Sequence, residues 1–306
     1  MAHIVFMGTP AFGIPALHYL HAHHTVEAVI TQPDKPSGRK KVLKASPIKD
    51  AALSMNLPVF QPEKIKDLYA YLTTIPIDFL ITAAYGQIIP EKLLSLANVD
   101  ALNLHGSILP KYRGAAPIQR AIMNGETDIG VSLMRMVKQM DAGPVYGIKK
   151  IPNTDYSSGE AFELLAELSV SLLDDYLEKI MHGLKPTPQD ESKVTYAKKL
   201  SPGDELLTFE LTAQDFINHA RALMPSPLGK LQLKDISVKV VECSMQPANN
   251  SKYPVVKAID KTGLTIALKG GDITLKRVQP IGKKPMAMRD FLNGKPKDFL
   301  VVGDTL

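Results

Sequence analysis

The chain has 306 residues, 45% of them apolar and 22% charged, which excludes a disordered or fibrous polymer and exceeds what one core usually holds, so two domains are expected. One cysteine, Cys243, excludes an intrachain disulfide and a cysteine-built metal site; with no leader-like start and no membrane-length apolar run, the reading is a cytoplasmic protein. The net charge of +5 is unevenly placed, with Lys and Arg against Asp and Glu at 18 to 18 over residues 1–188, 3 to 4 over 189–206 and 15 to 9 over 207–306.

Strands are expected over 3–7, 26–31, 77–83, 101–105 and 131–136. The middle runs are short and rich in Val, Ile or Leu with little polar alternation, as in strands covered on both faces. Amphipathic stretches over 12–21, 48–55, 64–73, 116–124 and 159–182 predict helices. Residues 1–188 therefore predict an α/β unit, a Rossmann-like and mostly parallel sheet with covering helices and ligands at the carboxyl ends of its strands. Gly183, Pro186, Pro188 and Pro202, set among polar residues, resist both helix and central strand, and a linker is expected over 189–206. Beyond it, a helix over 213–223 precedes short strands over 238–243, 255–259, 263–268 and 272–278, the pattern of a small β-barrel over 207–306. The basic excess of that unit suits a polyanionic partner, and equally a solvated lysine-rich surface.

The densest group of unusual residues is Asn103-Leu104-His105-Gly106-Ser107-Ile108-Leu109-Pro110, running from a buried strand into a loop. Asn103 and His105 are two apart and so project from one strand face. An amide donor beside an imidazole suits a carbonyl oxygen that becomes negative under attack. In isolation the same pair reads as a turn-fixing Asn and a satisfied core His. Asp141, in Asp141-Ala142-Gly143-Pro144, either opens a turn or pairs with His105 and relays a proton from an attacking amine. Met7-Gly8-Thr9-Pro10 lacks the dinucleotide glycine pattern, and His21, His23 and His24 end a predicted surface helix, so neither a dinucleotide nor a metal is expected.

The run Asn-x-His-Gly-Ser-x-Leu-Pro-x-Tyr-Arg-Gly, followed by Asp141-Ala142-Gly143, resembles the hallmark of the folate-dependent formyltransferases. That resemblance implies a catalytic trio of Asn103, His105 and Asp141, a folate contact at Ser107, Ile108, Leu109 and Pro110, 10-formyltetrahydrofolate as formyl donor, and no metal. Further likeness at 6–10, 32–39, 46–49, 58–62, 84–86 and 113–119 is strongest to the branch whose acceptor is initiator methionyl-tRNA, and implies a catalytic unit over 1–188, an oligonucleotide-binding-like barrel over 207–306 and a monomer. In that branch a basic loop enters the acceptor stem, which here assigns Lys35, Arg39, Lys40, Lys41 and Lys44 to tRNA; Lys40 stands where the pattern has glycine. The alternatives are a formyltransferase for a small amine such as an amino-sugar nucleotide, a hydrolase releasing formate from the same donor, and a nucleic-acid-binding protein without turnover.

Overall fold

A computed structural model describes residues 1–37, 42–250 and 252–306. Two compact units share the chain: Met1–Pro117, Asp128–Pro152 and Phe162–Ala197 form the first, and Ile118–Thr127, Asn153–Ala161 and Lys198–Leu306 the second.

The first unit is built on a seven-stranded sheet of β1 (His3–Gly8), β2 (Thr25–Ile30), β3 (Val59–Phe60), β4 (Phe79–Ala83), β5 (Asp100–His105), β6 (Asp128–Arg135) and β7 (Val145–Pro152). Their order is β7-β6-β5-β4-β1-β2-β3. The pairs from β3 to β5 are parallel, and β6 is antiparallel to both neighbours. Every residue of β4 is buried, as are all but the first of β1, which explains why both are apolar but for Thr82 in β4 and His3 at the start of β1. Helix α1 (Ile14–His23) carries a proline in its first turn, and α2 (Pro47–Ser54) is capped by Ser46, whose Oγ accepts from the Lys49 amide at 3.1 Å. Helix α4 (Ser158–Met181) belongs to this unit from Phe162 onward, whereas α3 (Pro117–Met123) lies in the second unit after its first residue.

Two expectations need correction here. The helix expected over 64–73 is a 3-10 turn, Ile65–Leu68, and one α-helical turn, Tyr69–Leu72. No side chain caps its start, and the Thr73 and Thr74 hydroxyls bond back to the Ala70 and Tyr71 carbonyls at 2.8 and 2.7 Å, which competes with continuation. Strand β7 went unread because, as an edge strand, it alternates exposed with half-buried positions from Ile148 onward and carries two lysines there, Lys149 half-buried against Asp175 and Lys150 exposed.

In the second unit β8 (Gly229–Leu233), β9 (Ile236–Pro247), β10 (Val255–Asp260), β11 (Gly263–Leu268) and β12 (Gly271–Pro280) belong to one sheet in the order β8-β9-β12-β11-β10. Alternate residues such as Val238 and Val240, Leu264 and Ile266, and Ile273 and Leu275 enclose one core with Phe216 and Ala220 of α5 (Ala213–Ala222) and Met288 and Phe291 of α6 (Met288–Asn293). This is the smaller β-rich domain that the short strands implied.

The domain boundaries differ from the expected 1–188, 189–206 and 207–306. Residues 118–127 and 153–161 join the second unit because their polar groups are satisfied there. Asn153 donates from N and Nδ2 to the Thr127 and Glu126 carbonyls at 2.8 and 2.7 Å, and Arg221 donates to the Thr154 carbonyl at 3.1 Å. The stretch 189–206 is not a tether either, since its first half pairs with the first unit: Tyr196–Ala197 lies parallel to Arg113–Gly114.

Arg120 grips Asp204 with two hydrogen bonds of 2.6 and 2.9 Å, and Ser201 adds its amide and hydroxyl to the same carboxylate. The Arg120 hydrogen bonds, then the Ser201 amide, hold the Asp204 carboxyl well below the usual carboxylate range. A depressed folded-state pKa contributes stability that is present above the ordinary carboxylate pKa and is lost as pH falls through the folded value. Asp204→Asn should therefore lower stability at pH 7 by about 1–3 kcal/mol and flatten the acid limb, as read from urea midpoints across pH.

Candidate active site

The site is built round β5. Asn103 lies opposite Thr82 of β4, whose hydroxyl donates to its Oδ1 at 2.7 Å, so the amide is oriented with Nδ2 toward Asp141 Oδ1 at 3.5 Å. His105, 7% exposed, donates from Nε2 to the Tyr112 carbonyl at 2.9 Å. A carbonyl can only accept, so Nε2 carries the hydrogen of this bond and Nδ1 is turned the other way. Nδ1 faces Asp141 Oδ2 at 3.7 Å, and the Asp141 carboxylate is 12% exposed. The Gly114 amide donates to the same oxygen at 2.9 Å. All three residues singled out from the sequence thus converge, with gaps of 3.5 and 3.7 Å of the kind that tighten on binding.

Asp141 does not arrive from a strand end. Because β6 runs antiparallel to β5, Arg135 lies beside Leu102, and loop 136–144 folds back to carry the carboxylate to His105. Asp141 sits in the left-handed region at φ 51°, a conformation that aspartate tolerates better than most residues. Gly143 allows the turn: a Cβ there would lie 1.9 Å from the Arg135 carbonyl oxygen.

The facing loop holds Tyr112 at φ 60° and Gly114 at φ 125°. It is fixed by 189–197: Thr195 Oγ1 accepts from the Tyr112 amide, the Thr195 carbonyl from Arg113, and the Ala197 carbonyl from Ala115, each at 2.9 Å. The Arg113 side chain is 1% exposed; it donates through Nε and Nη2 to Gln189 Oε1 at 3.0 and 2.9 Å and through Nη2 to Glu191 Oε1 at 2.7 Å. Gln189 Nε2 in turn donates to the carbonyls of Asp141 and Gly143 at 2.8 and 2.7 Å.

In 107–110, Ser107 is buried with its hydroxyl donating to the Lys111 carbonyl at 2.7 Å, and Leu109 is buried with its amide bonded to Ser132 Oγ at 3.1 Å. Ile108 and Pro110 are half-buried. Lys35 and Lys44 are exposed and sit directly opposite each other in the short hairpin of Lys35–Ser37 and Val42–Lys44, an arrangement that repels without an anion nearby. Arg39, Lys40 and Lys41 lie outside the described residues. Lys49, nearby in sequence, is paired with Asp34 at 2.7 Å.

Thr82, Gln189 and Thr195 were not picked out from the sequence. Thr82 carried a usable signal as the lone polar residue of β4, FLITA, whereas Gln189 is one polar residue among many after Pro188.

A family model described as formyl transferase matches residues 3–167, and one described as formyl transferase, C-terminal domain, matches 199–296. The chain belongs to the formyl transferase family. It is 42% identical to the methionyl-tRNA formyltransferase of Lactobacillus delbrueckii subsp. bulgaricus over 98% of this chain and 97% of that one, and 39% identical to that of Listeria monocytogenes over the same shares. Among solved structures, an N-formyltransferase from Helicobacter canadensis, in complex with folinic acid and dTDP-3-aminofucose, superposes with a TM-score of 0.70 at 16% identity, over 92% of this chain and all of that one. HypX from Aquifex aeolicus, in complex with tetrahydrofolic acid, gives 0.63 at 17% over the whole chain and 49% of HypX. At these identities the two structures establish a shared fold. No helix among the described residues is long and apolar enough to cross a membrane.

Gly143→Ala should displace loop 136–144, since the added methyl meets backbone and not a flexible side chain. The expected result is a thermal midpoint lower by at least about 4 °C in a calorimetric scan.

Proposed function

We propose that this family member transfers the formyl group of 10-formyltetrahydrofolate to the α-amino group of initiator methionyl-tRNA. The observation that carries the reading is the convergence of Asn103 and His105 on Asp141. Identity of about 40% over nearly full length to enzymes named for methionyl-tRNA supports that acceptor over an amino-sugar nucleotide, where the likeness is of fold. Family likeness supports a monomer, and an acceptor used in translation supports the cytoplasm.

In this reading the donor supplies a preformed formyl group, so the reaction is acyl transfer. The neutral amine attacks the formyl carbon, a C–N bond forms, and the oxygen takes on negative charge. Asn103 Nδ2–H and the His105 imidazole hold that oxygen. Asp141 accepts the proton shed by the attacking amine and passes it to the departing nitrogen, which leaves with the electron pair of the broken C–N bond. A free α-amino group titrates at about 7.7–8.0, so a base at the site helps most near neutrality.

Segment 107–110 serves the donor through its backbone, Ile108 and Pro110, while the inward Ser107 and Leu109 hold its shape. Lys35 and Lys44, with Arg39, Lys40 and Lys41, are the residues that would neutralise acceptor-stem phosphates; the opposed pair Lys35 and Lys44 supports this, because a nearby phosphate relieves its repulsion.

Labelled formyl from 10-formyltetrahydrofolate should appear on charged initiator tRNA, and release as free formate without acceptor would overturn the assignment. His105→Ala and Asp141→Asn should each lower kcat on the order of 10²- to 10⁴-fold with little change in donor KM. Near-normal turnover in either would remove the trio. Lys35→Gln with Lys44→Gln should raise the KM for tRNA and reduce the salt slope by about 0.7–0.9 for each phosphate no longer neutralised. An equal loss on a small amine acceptor would make the hairpin structural.

A further inference from the structure

The Asp141 loop has a mechanical problem. It leaves the sheet beside Leu102, so no strand ladder holds the residue that must face His105, and Asp141 sits at a positive φ that its neighbours must impose. Among the described residues, one side chain bonds two carbonyls of that turn, those of Asp141 and Gly143, and it is Gln189. The other end of the same amide is occupied by Arg113 Nε and Nη2. Arg113 is flanked by Tyr112, whose carbonyl takes the His105 Nε2 hydrogen, and by Gly114, whose amide binds Asp141 Oδ2. One planar amide therefore ties the turn bearing the carboxylate to the loop that fixes the imidazole.

We propose that Gln189 is a positioning residue of the reaction, holding Asp141 in register with His105 through the Arg113–Gln189 brace. Gln189 is set for this by its anchors. Thr187, two residues before it, exchanges two backbone hydrogen bonds of 2.8 Å with Val145, and Thr195 and Ala197 secure the far side of the segment. Its primary amide is matched to the task, because the two carbonyls need a donor and the guanidinium needs an acceptor. Leucine has neither, and glutamate keeps only the acceptor.

The inference rests on the catalytic reading of Asp141 and is tested by a double-mutant cycle on the full chain. Gln189→Glu retains an acceptor for buried Arg113, while it replaces the donor to the turn with an oxygen that the Asp141 and Gly143 carbonyls repel. We expect kcat to fall about 10- to 100-fold, the KM for donor and tRNA to stay within about twofold, and the pH profile of kcat to shift. In an Asp141→Asn background the same change should add almost nothing, because the group it positions is already lost. Gln189→Leu should show the same kcat effect together with a lower thermal midpoint, since Arg113 then loses an acceptor.

Wild-type kcat in Gln189→Glu, or losses that multiply in the double variant, would overturn the positioning role. Full activity in Asp141→Asn alone would instead bring down the catalytic reading and this inference with it, so the two failures are distinguishable.

Discussion

A guanidinium taken out of water is one of the more expensive things a fold can contain, and Arg113 is 1% exposed. Its charge has to be met locally, and the partners it finds, Gln189 and Glu191, both lie more than 70 residues further along the chain. The requirement therefore selects a path for 189–197 and forces it onto the loop at 112–116. Glu191 is 70% exposed, so the compensating carboxylate keeps its hydration while the arginine does not. Such a pair adds little net stability, yet removing one member leaves an unmatched buried charge. The local geometry of His105, Gly114 and Asp141 depends on that constraint being met.

The electrostatics elsewhere in the first unit follow the opposite logic. Lys49 is matched by Asp34, which also accepts from Gln61 at 2.7 Å; the Gln61 hydrogen bond, then that of Lys49, holds the Asp34 carboxyl below its ordinary range. Lys35 and Lys44 are placed across from each other in the open, where water screens them and nothing on the chain neutralises them among the described residues. Matched charge holds local structure, whereas the opposed lysines concentrate positive potential on the hairpin.

Much of this could be read before any coordinates. The buried parallel strands were legible because burial on both faces removes polar alternation, and Asn103 with His105 because a period of two places them on one face. Asp141 could be suspected but not placed, since its position depends on the antiparallel turn of β6, which no local pattern reveals. The helix at 64–73 failed because intrinsic periodicity said nothing of the Thr73 and Thr74 hydroxyls that compete for its last carbonyls. Gln189 was invisible for a different reason: its role is defined by partners 48 and 76 residues away. The proline-rich stretch around it carried the signature of a connector, and prolines equally suit a segment that lies extended against a folded surface.

The discontinuous make-up of the second unit bears on how this architecture can be recombined. The matching C-terminal family model begins at residue 199, but the compact unit also includes 118–127 and 153–161. A graft cut at the model's edge would take Asp204 without Arg120 and Arg221 without the Thr154 carbonyl. A tail exchanged at that edge would leave the Asp204 carboxylate and the Arg221 guanidinium without the partners they have here, so a workable cut has to carry 118–127 and 153–161 along with the residues from 198 onward.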